Sequence, residues 1–134
     1  MVEIKKIDEF LPQLNACDAG SCKFCHEFCT SYVEGGNMAY STHGIQRLLR
    51  KVLLKELNPD LIVERIYQCT TCGYCHYVRC ALQCNLDIII SARSHLVESN
   101  LLPISIGRIL ENLKKFNNPM GVSQDYLKQK AREG

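Results

Sequence analysis

The chain has 134 residues, of which 46% are hydrophobic and 22% are charged, and its formal net charge is +2. These values are typical of one folded domain, argue against disorder and give no reason to expect a nucleic-acid partner. No apolar run approaches the roughly 18 residues of a transmembrane helix, so we predict no membrane span. The start of the chain, Met-Val-Glu-Ile-Lys-Lys-Ile-Asp, lacks the apolar run of a signal peptide, so we predict a cytoplasmic location where thiols stay reduced.

Cysteine is the residue type that departs most from average composition, with nine in the chain. Residues 17–29 contain C-x4-C-x2-C-x3-C, and residues 69–84 contain C-x2-C-x2-C-x4-C-x3-C. The two runs form an internal repeat, because Cys22, Cys25 and His26 each have the same residue type fifty positions later. An odd number of cysteines in a reducing compartment argues against a disulfide framework and favours metal binding.

The segment between the two runs has the pattern of helices. Residues 45–53 place apolar side chains on one helical face and basic ones on the other, and Ser41 or Thr42 is suited to cap the start. Asn58-Pro59 combines a capping residue with a proline at the first helical position. It therefore predicts a second helix over residues 60–67, which runs directly into the second cysteine run.

The chain after the second run also has the pattern of helices. Residues 86–97 predict a buried helix, although Ile88-Ile89-Ile90 alone also suits a strand. Pro103 precedes an amphipathic helix that the breakers at residues 117–121 end. We therefore expect a mostly α-helical domain over residues 1–116, followed by a polar C-terminal arm over residues 117–134.

The close spacing of the cysteines points to iron–sulfur clusters. A C-x2-C-x2-C loop wraps three corners of a four-iron cluster and directs its backbone N–H groups at the sulfurs. In two-cluster ferredoxins the last cysteine of each run binds the other cluster. This exchange predicts two [4Fe-4S] clusters, one on Cys17, Cys22, Cys25 and Cys80, the other on Cys29, Cys69, Cys72 and Cys75.

Two features of the assignment stay open at this point. Cys80 lies nearer than Cys84 to the expected x3 position, which favours Cys80 as the ligand and leaves Cys84 as a buried apolar thiol. The run that starts at Cys17 also matches the plant-type spacing of a two-iron cluster, whereas Cys29 at x3 favours four irons. Lys23 and Arg79 each lie next to a candidate ligand in the sequence, and their charges could adjust the reduction potential of a cluster.

Other chemistries share parts of the pattern. Zinc ribbons use two separated C-x2-C pairs and rarely three cysteines at successive x2 spacing. The C-x-x-C-H motifs at residues 22–26 and 72–76 match the attachment site of c-type haem, which would leave five cysteines without a role. A C-x-x-C thiol oxidoreductase would lie in a βαβ pattern, which the sequence lacks. We therefore interpret His26 and His76 as polar residues beside a cluster.

Three segments resemble the small two-cluster iron–sulfur subunit of heterodisulfide reductase and its relatives. They are Cys29-Thr-Ser-Tyr, Tyr40-Ser-Thr-His-Gly-Ile-Gln-Arg-Leu-Leu and Tyr67-Gln-Cys69-Thr-Thr-Cys72-Gly-Tyr-Cys75. Asn118-Pro119-Met120-Gly121 is similar to an Asn-Pro-aromatic-Gly stretch in the same family, so the resemblance covers about residues 15–121. The ligands that match the family runs by position are Cys22, Cys25, Cys29, Cys69, Cys72 and Cys75.

The chain departs from the family pattern at three points. Cys17 lies two residues farther upstream than the first family ligand, and Cys80 lies one residue late. Thr30 and Ala81 replace the prolines that usually follow the fourth cysteine of each run.

The resemblance implies an α-helical ferredoxin-like domain with two four-iron clusters. Such a protein passes electrons from a flavin-containing subunit to a catalytic subunit that reduces a disulfide, and it has no catalytic residues of its own. Its expected partners are therefore the protein subunits of a redox complex. The alternatives are a catalytic thiol–disulfide or sulfur-transfer subunit that uses the spare cysteine, and a zinc-binding module.

Overall fold

The computed structural model describes residues 6–20, 22, 25, 27–80 and 84–133, with the backbone alone for Val78 and Arg79. In these ranges the chain forms helices and no strand, so the prediction of a mostly α-helical fold is confirmed. The α-helices are α1 (Leu11–Ala19), α2 (Thr30–Gly35), α3 (Thr42–Leu53), α4 (Val63–Gln68), α5 (Asn85–Glu98), α6 (Ile104–Phe116) and α7 (Gln124–Glu133). No helix in the described part of the chain is both long enough and apolar enough to cross a membrane.

The chain divides into two compact units, residues 1–101 and residues 102–134. The first unit contains all nine cysteines and the hydrophobic core. The second unit contains α6 and α7, so it includes the residues that we expected to form a polar arm together with the helix before them.

Helix α3 occupies the centre of the first unit. It contacts α1, α5 and two short 3-10 helices, Met38–Tyr40 and Pro59–Ile62. It begins as predicted, because the Ser41 hydroxyl accepts a hydrogen bond from the Gly44 N–H at 3.1 Å and so satisfies a free helix-terminal donor.

A close backbone approach fixes the position of the α3 N-terminus. A Cβ atom at Gly44 would overlap the carbonyl oxygen of Met38 and lie 2.8 Å from the Cα of Ala39. Because both contacts involve backbone atoms, only glycine lets the helix start pack this closely against the Met38–Tyr40 turn.

The predicted second helix begins at its predicted cap. The Asn58 side chain accepts from the Asp60 N–H at 3.1 Å, and Pro59 begins the 3-10 helix that leads into α4. Helix α4 ends at Gln68, so Cys69 follows the helix directly.

Helix α5 resolves the choice between helix and strand at the isoleucine triplet. Ile88 and Ile89 are each 1% exposed, whereas Ile90 is 40% exposed. Ala92 and Leu96 extend the buried side at helical spacing, which buries one face of a 14-residue helix rather than alternate residues of a strand. The buried core comprises Ile7, Phe10, Leu14, Ile45, Leu49, Ile62, Val63, Ile66, Cys84, Ile88, Ile89, Ala92 and Leu96.

In the second unit, an asparagine-centred turn joins the two helices. Helix α6 ends at Phe116 and is capped by Asn117 in the left-handed conformation, as the breakers predicted. The buried Asn118 side chain donates to the carbonyls of Phe116 and Val122 at 3.0 and 2.8 Å and accepts from the Met120 N–H at 3.1 Å. These bonds explain why an Asn-Pro sequence shapes this turn.

Candidate metal centre

The first cysteine run is distributed over a helix, a loop and a helix cap. Cys17 lies in the last turns of α1, and Cys29 is the residue that precedes α2. Cys22 and Cys25 lie in the segment between them, where Cys22 is exposed and Cys25 is half-buried.

The second run is held by a loop of unusual backbone conformation. Thr71 has a φ of 54° and Gly73 a φ of 77°. A positive φ is rare for a β-branched residue, but at Thr71 it brings the backbone N–H to the Cys69 thiol as a hydrogen-bond donor. Glycine adopts the same region at Gly73 without strain.

A π-helical turn follows this loop and spans Cys75–Arg79. The Cys80 N–H closes it by donating to the Cys75 carbonyl at 3.0 Å. Such turns often occur at functional sites. Here it explains the wider spacing before the fourth cysteine, because a π turn accommodates one residue more than an α turn.

One set of neighbouring thiols forms around Cys17. Burial raises the pKa of Cys17 to about 11, and the thiols of Cys80, Cys22 and Cys84 raise it further because neighbouring thiolates would repel each other. Burial likewise raises the pKa of Cys25 to about 12, and Cys17 and Cys80 are among the thiols that add to this shift. We call Cys17, Cys22, Cys25 and Cys80 the first cysteine group.

A second set of neighbouring thiols forms around Cys75. Burial raises the pKa of Cys69, and the thiols of Cys75 and Cys29 raise it further. Burial also raises the pKa of Cys75, and the neighbouring thiols that act on it are Cys72 and Cys29. We call Cys29, Cys69, Cys72 and Cys75 the second cysteine group.

The two groups lie next to each other. The Cys75 thiol of the second group also raises the pKa of Cys25 in the first group. The start of α3 contacts both groups, because the Thr42 hydroxyl donates to the Cys75 sulfur at 3.5 Å while His43 Nδ1 lies 3.4 Å from the Cys17 sulfur. The backbone N–H of His43 donates to Cys25.

Cys80 and Cys84 differ in their surroundings. Both thiols raise the pKa of Cys17, but Cys80 also raises that of Cys25 and is partly accessible. Cys84 is 8% exposed, belongs to the hydrophobic core and precedes α5. Burial raises the pKa of the Cys84 thiol to about 11, which leaves little thiolate at neutral pH and disfavours Cys84 as a nucleophile.

His76 has a structural partner. Its Nδ1 atom accepts a hydrogen bond from the Leu86 N–H at 3.2 Å and thus satisfies a donor in the first turn of α5. The repeat-related His26 and the candidate tuning residue Lys23 lie outside the described residues, as does the side chain of Arg79.

The described residues include no group of three or more His, Cys, Asp or Glu side chains arranged around one metal ion. A single structural zinc would take four ligands, with each sulfur about 2.3 Å from the ion. An iron–sulfur cluster binds each thiolate to a different iron, so its ligands lie farther apart. Which thiols lie near one another therefore indicates which cysteines could bind the same cluster.

Several residues around the groups were not predicted from the sequence. Asn85 donates to the Cys75 carbonyl at 3.1 Å and accepts a hydrogen bond from Gln46 of α3. Arg93 of α5 donates to the Cys69 carbonyl at 2.5 Å. These two residues, like His43, carry no spacing signal, because helix packing rather than a motif brings them to the cysteines.

Comparison with known proteins gives no match: no family model, no curated protein and no solved structure is significantly similar to the chain.

Proposed function

We propose that the chain binds two [4Fe-4S] clusters, one on each cysteine group. The observation that carries the proposal is that thiols of the two runs are neighbours: Cys80 acts on Cys17 and Cys25, and Cys29 acts on Cys69 and Cys75. Each group contains three thiols from one run and one from the other, namely Cys80 in the first group and Cys29 in the second. This exchange is the ligand pattern of two-cluster ferredoxins.

The donor sets suit such clusters chemically. Each consists of four thiols that repel one another when ionised, so a bound cationic centre relieves the repulsion as the thiol protons are released. The backbone N–H groups of Thr71 and His43 already donate to ligand sulfurs. When bound, four-iron clusters accept and release single electrons, and the residues around them set the potential and limit access of water.

We further propose that the protein is a non-catalytic electron-relay subunit of a heterodisulfide reductase-like complex. By resemblance, its donor is a flavin-containing subunit and its acceptor is a disulfide-reducing subunit. Two features support a relay. The cysteine groups adjoin through Cys25 and Cys75, and each group has one exposed ligand, Cys22 in the first and Cys72 in the second.

Anaerobic purification followed by iron and acid-labile sulfide quantification tests cluster binding. We expect about eight irons and about eight sulfides per chain, with the electron paramagnetic resonance signals of two interacting four-iron clusters after reduction. Stoichiometric zinc without iron would refute the proposal.

A reductive titration tests the relay. With reduced flavin as donor and an excess of an artificial disulfide as acceptor, the chain should take up about two electrons, one per cluster. Without its partner subunits, the chain should reduce the disulfide much more slowly than a thiol oxidoreductase does. Rapid disulfide reduction that depends on Cys84 would instead indicate a catalytic role for this chain.

A further inference from the structure

The second cysteine group has a cation built into its surroundings. Arg93 of α5 donates through one terminal nitrogen to the carbonyls of Ile66 and Cys69, at 3.1 and 2.5 Å. Its guanidinium lies 5.1 Å from the centre of the Tyr67 ring. These contacts fix the guanidinium beside the end of α4, where the ligand Cys69 emerges.

The charge of Arg93 is not compensated by an acid in the described part of the chain. The ion pairs found there join Asp18 to Arg47 and Arg50, and Lys130 to Glu133, none of which involves Arg93. The Nε atom of Arg93 is buried and has no hydrogen-bond partner among the described residues. Because arginine stays protonated at all physiological pH values, the site is permanently positive.

The second group also accepts several neutral hydrogen bonds. Thr42 donates its hydroxyl to the Cys75 sulfur at 3.5 Å, and the Asn85 amide lies within hydrogen-bond reach of the same sulfur. The Thr71 N–H donates to Cys69. Each bond places a positive dipole end at a ligand sulfur and so stabilises added negative charge.

The first group has a different electrostatic setting. The acid Asp18 follows Cys17 on α1 and acts on its thiol. Asp18 pairs with Arg47 and Arg50 at 2.6 and 3.4 Å, but all three side chains are in contact with solvent, which screens them. In this group the backbone N–H of His43 donates to Cys25, and His43 Nδ1 lies 3.4 Å from the Cys17 sulfur.

We propose that Arg93 gives the cluster on the second cysteine group the higher reduction potential, so that an electron entering the pair comes to rest there. The inference depends on the proposed two-cluster function. Adding an electron makes a cluster more negative, and a fixed cation beside one group stabilises that reduced state. With clusters bound, the second cysteine group would hold the one that retains the electron, and Arg93 beside Cys69 would stabilise its reduced state without any bond or proton being transferred.

This order assigns a direction to the relay. In this order the electron donor would act on the first group, whose ligand Cys22 is exposed, and the acceptor would act on the second group, whose ligand Cys72 is exposed.

An anaerobic redox titration with dithionite, followed by electron paramagnetic resonance, tests the order in the cluster-loaded full chain. Cys22→Ser and Cys72→Ser identify the two signals, because each replaces one exposed ligand of one group. We expect the signal that appears at the higher potential to be the one altered by Cys72→Ser. If Cys22→Ser alters it instead, the proposal is wrong.

Charge variants test the role of Arg93. Arg93→Gln should shift the higher potential downward, towards that of the other cluster, and Arg93→Lys should retain most of the wild-type value. Arg65→Gln is the matched control, since Arg65 lies over the Tyr40 ring and donates to Gln68. It should leave both potentials close to wild type.

Thr42→Val provides a second variant without a change of charge. It removes one donor from Cys75 and should lower the same potential by a smaller amount than Arg93→Gln. Unchanged potentials in both Arg93→Gln and Thr42→Val would overturn the proposal even if both clusters are present. A chain that binds no cluster would refute the proposed function and this inference together.

Discussion

At the scale of single residues, two cysteines four positions apart have different environments. Cys80 is a neighbour of Cys17 and Cys25, whereas Cys84, which also acts on Cys17, packs in the hydrophobic core. The difference arises because α5 begins directly after Cys84 and turns that side chain inward with the helix. Cys84 thus has the surroundings of an apolar core residue.

Alanine substitutions at Cys80 and Cys84 distinguish a cluster ligand from a core residue. Cys80→Ala should reduce the iron content from about eight to about four atoms per chain, because one cluster loses a ligand. Cys84→Ala should keep about eight irons and lower the free energy of unfolding by about 1 kcal/mol, since it removes only a small buried group. Iron quantification and anaerobic denaturation measure both effects. Iron loss in Cys84→Ala alone would reverse the assignment.

A buried amide pair links the cysteines to α3. Gln46 donates to Asn85, and Asn85 donates to the Cys75 carbonyl. Both side chains are about 2% exposed, so neither can turn to water if its partner is removed.

The pair should therefore behave as a unit in a double-mutant cycle. Asn85→Ala alone should cost about 1–3 kcal/mol, because it leaves the Gln46 amide buried without its acceptor. Gln46→Ala combined with Asn85→Ala should cost less than the sum of the single changes. Anaerobic denaturant unfolding of the four proteins measures the coupling. Strict additivity would show that the two amides act independently.

At the scale of elements, the start of α3 is the structural link between the two cysteine groups. Its cap is set by Ser41, and its approach to the Met38–Tyr40 turn depends on Gly44. Its first two residues, Thr42 and His43, then contact ligands of different groups. Small displacements of this helix end should therefore affect both centres.

A matched pair of glycine substitutions tests this dependence. Gly44→Ala should destabilise the protein by about 1–3 kcal/mol and reduce cluster loading, because its Cβ would overlap backbone atoms. Gly107→Ala in α6 should be neutral or stabilising by up to about 1 kcal/mol, since no atom lies within 4 Å of the added Cβ and alanine favours the helix. Unfolding curves and iron content report both. Equal effects would contradict the role of close packing at Gly44.

At the scale of the whole molecule, the division into two units separates the cysteines from the C-terminal helices. All nine cysteines, the core and α3 lie in residues 1–101. The hydrogen bonds to the cysteine sulfurs described above also come from this unit. Residues 102–134 contain α6 and α7, in which no described residue is buried.

Removal of residues 102–134 tests this division. The remaining chain should still bind about eight irons per molecule, because both ligand sets and their donors are retained. Iron quantification and electron paramagnetic resonance of the shortened protein measure this. Loss of either cluster would show that the second unit contributes to the metal centres.

Local sequence determined the helices with clear boundary signals. Ser41 and Asn58 are caps that bond their own first turn, and Asn117 ends α6, so each acts within a few residues. The isoleucine triplet gave an ambiguous pattern, because three adjacent apolar residues fit either period. Burial of Ile88 and Ile89 but not Ile90 settled it in the folded chain.

The amino-acid sequence alone predicted the helical class, the two cysteine runs and the expectation that each run supplies one ligand to the other run's cluster. These features depend on composition, spacing and short-range hydrogen bonds. Folding in three dimensions was needed to show that Cys84 lies in the core, that Thr42 and His43 contact different groups and that Arg93 lies beside Cys69. These contacts join residues 24 or more positions apart, or depend on how a helix is turned against the core. These contacts arise from helix packing, and the spacing of residues along the chain does not indicate which helix faces pack together.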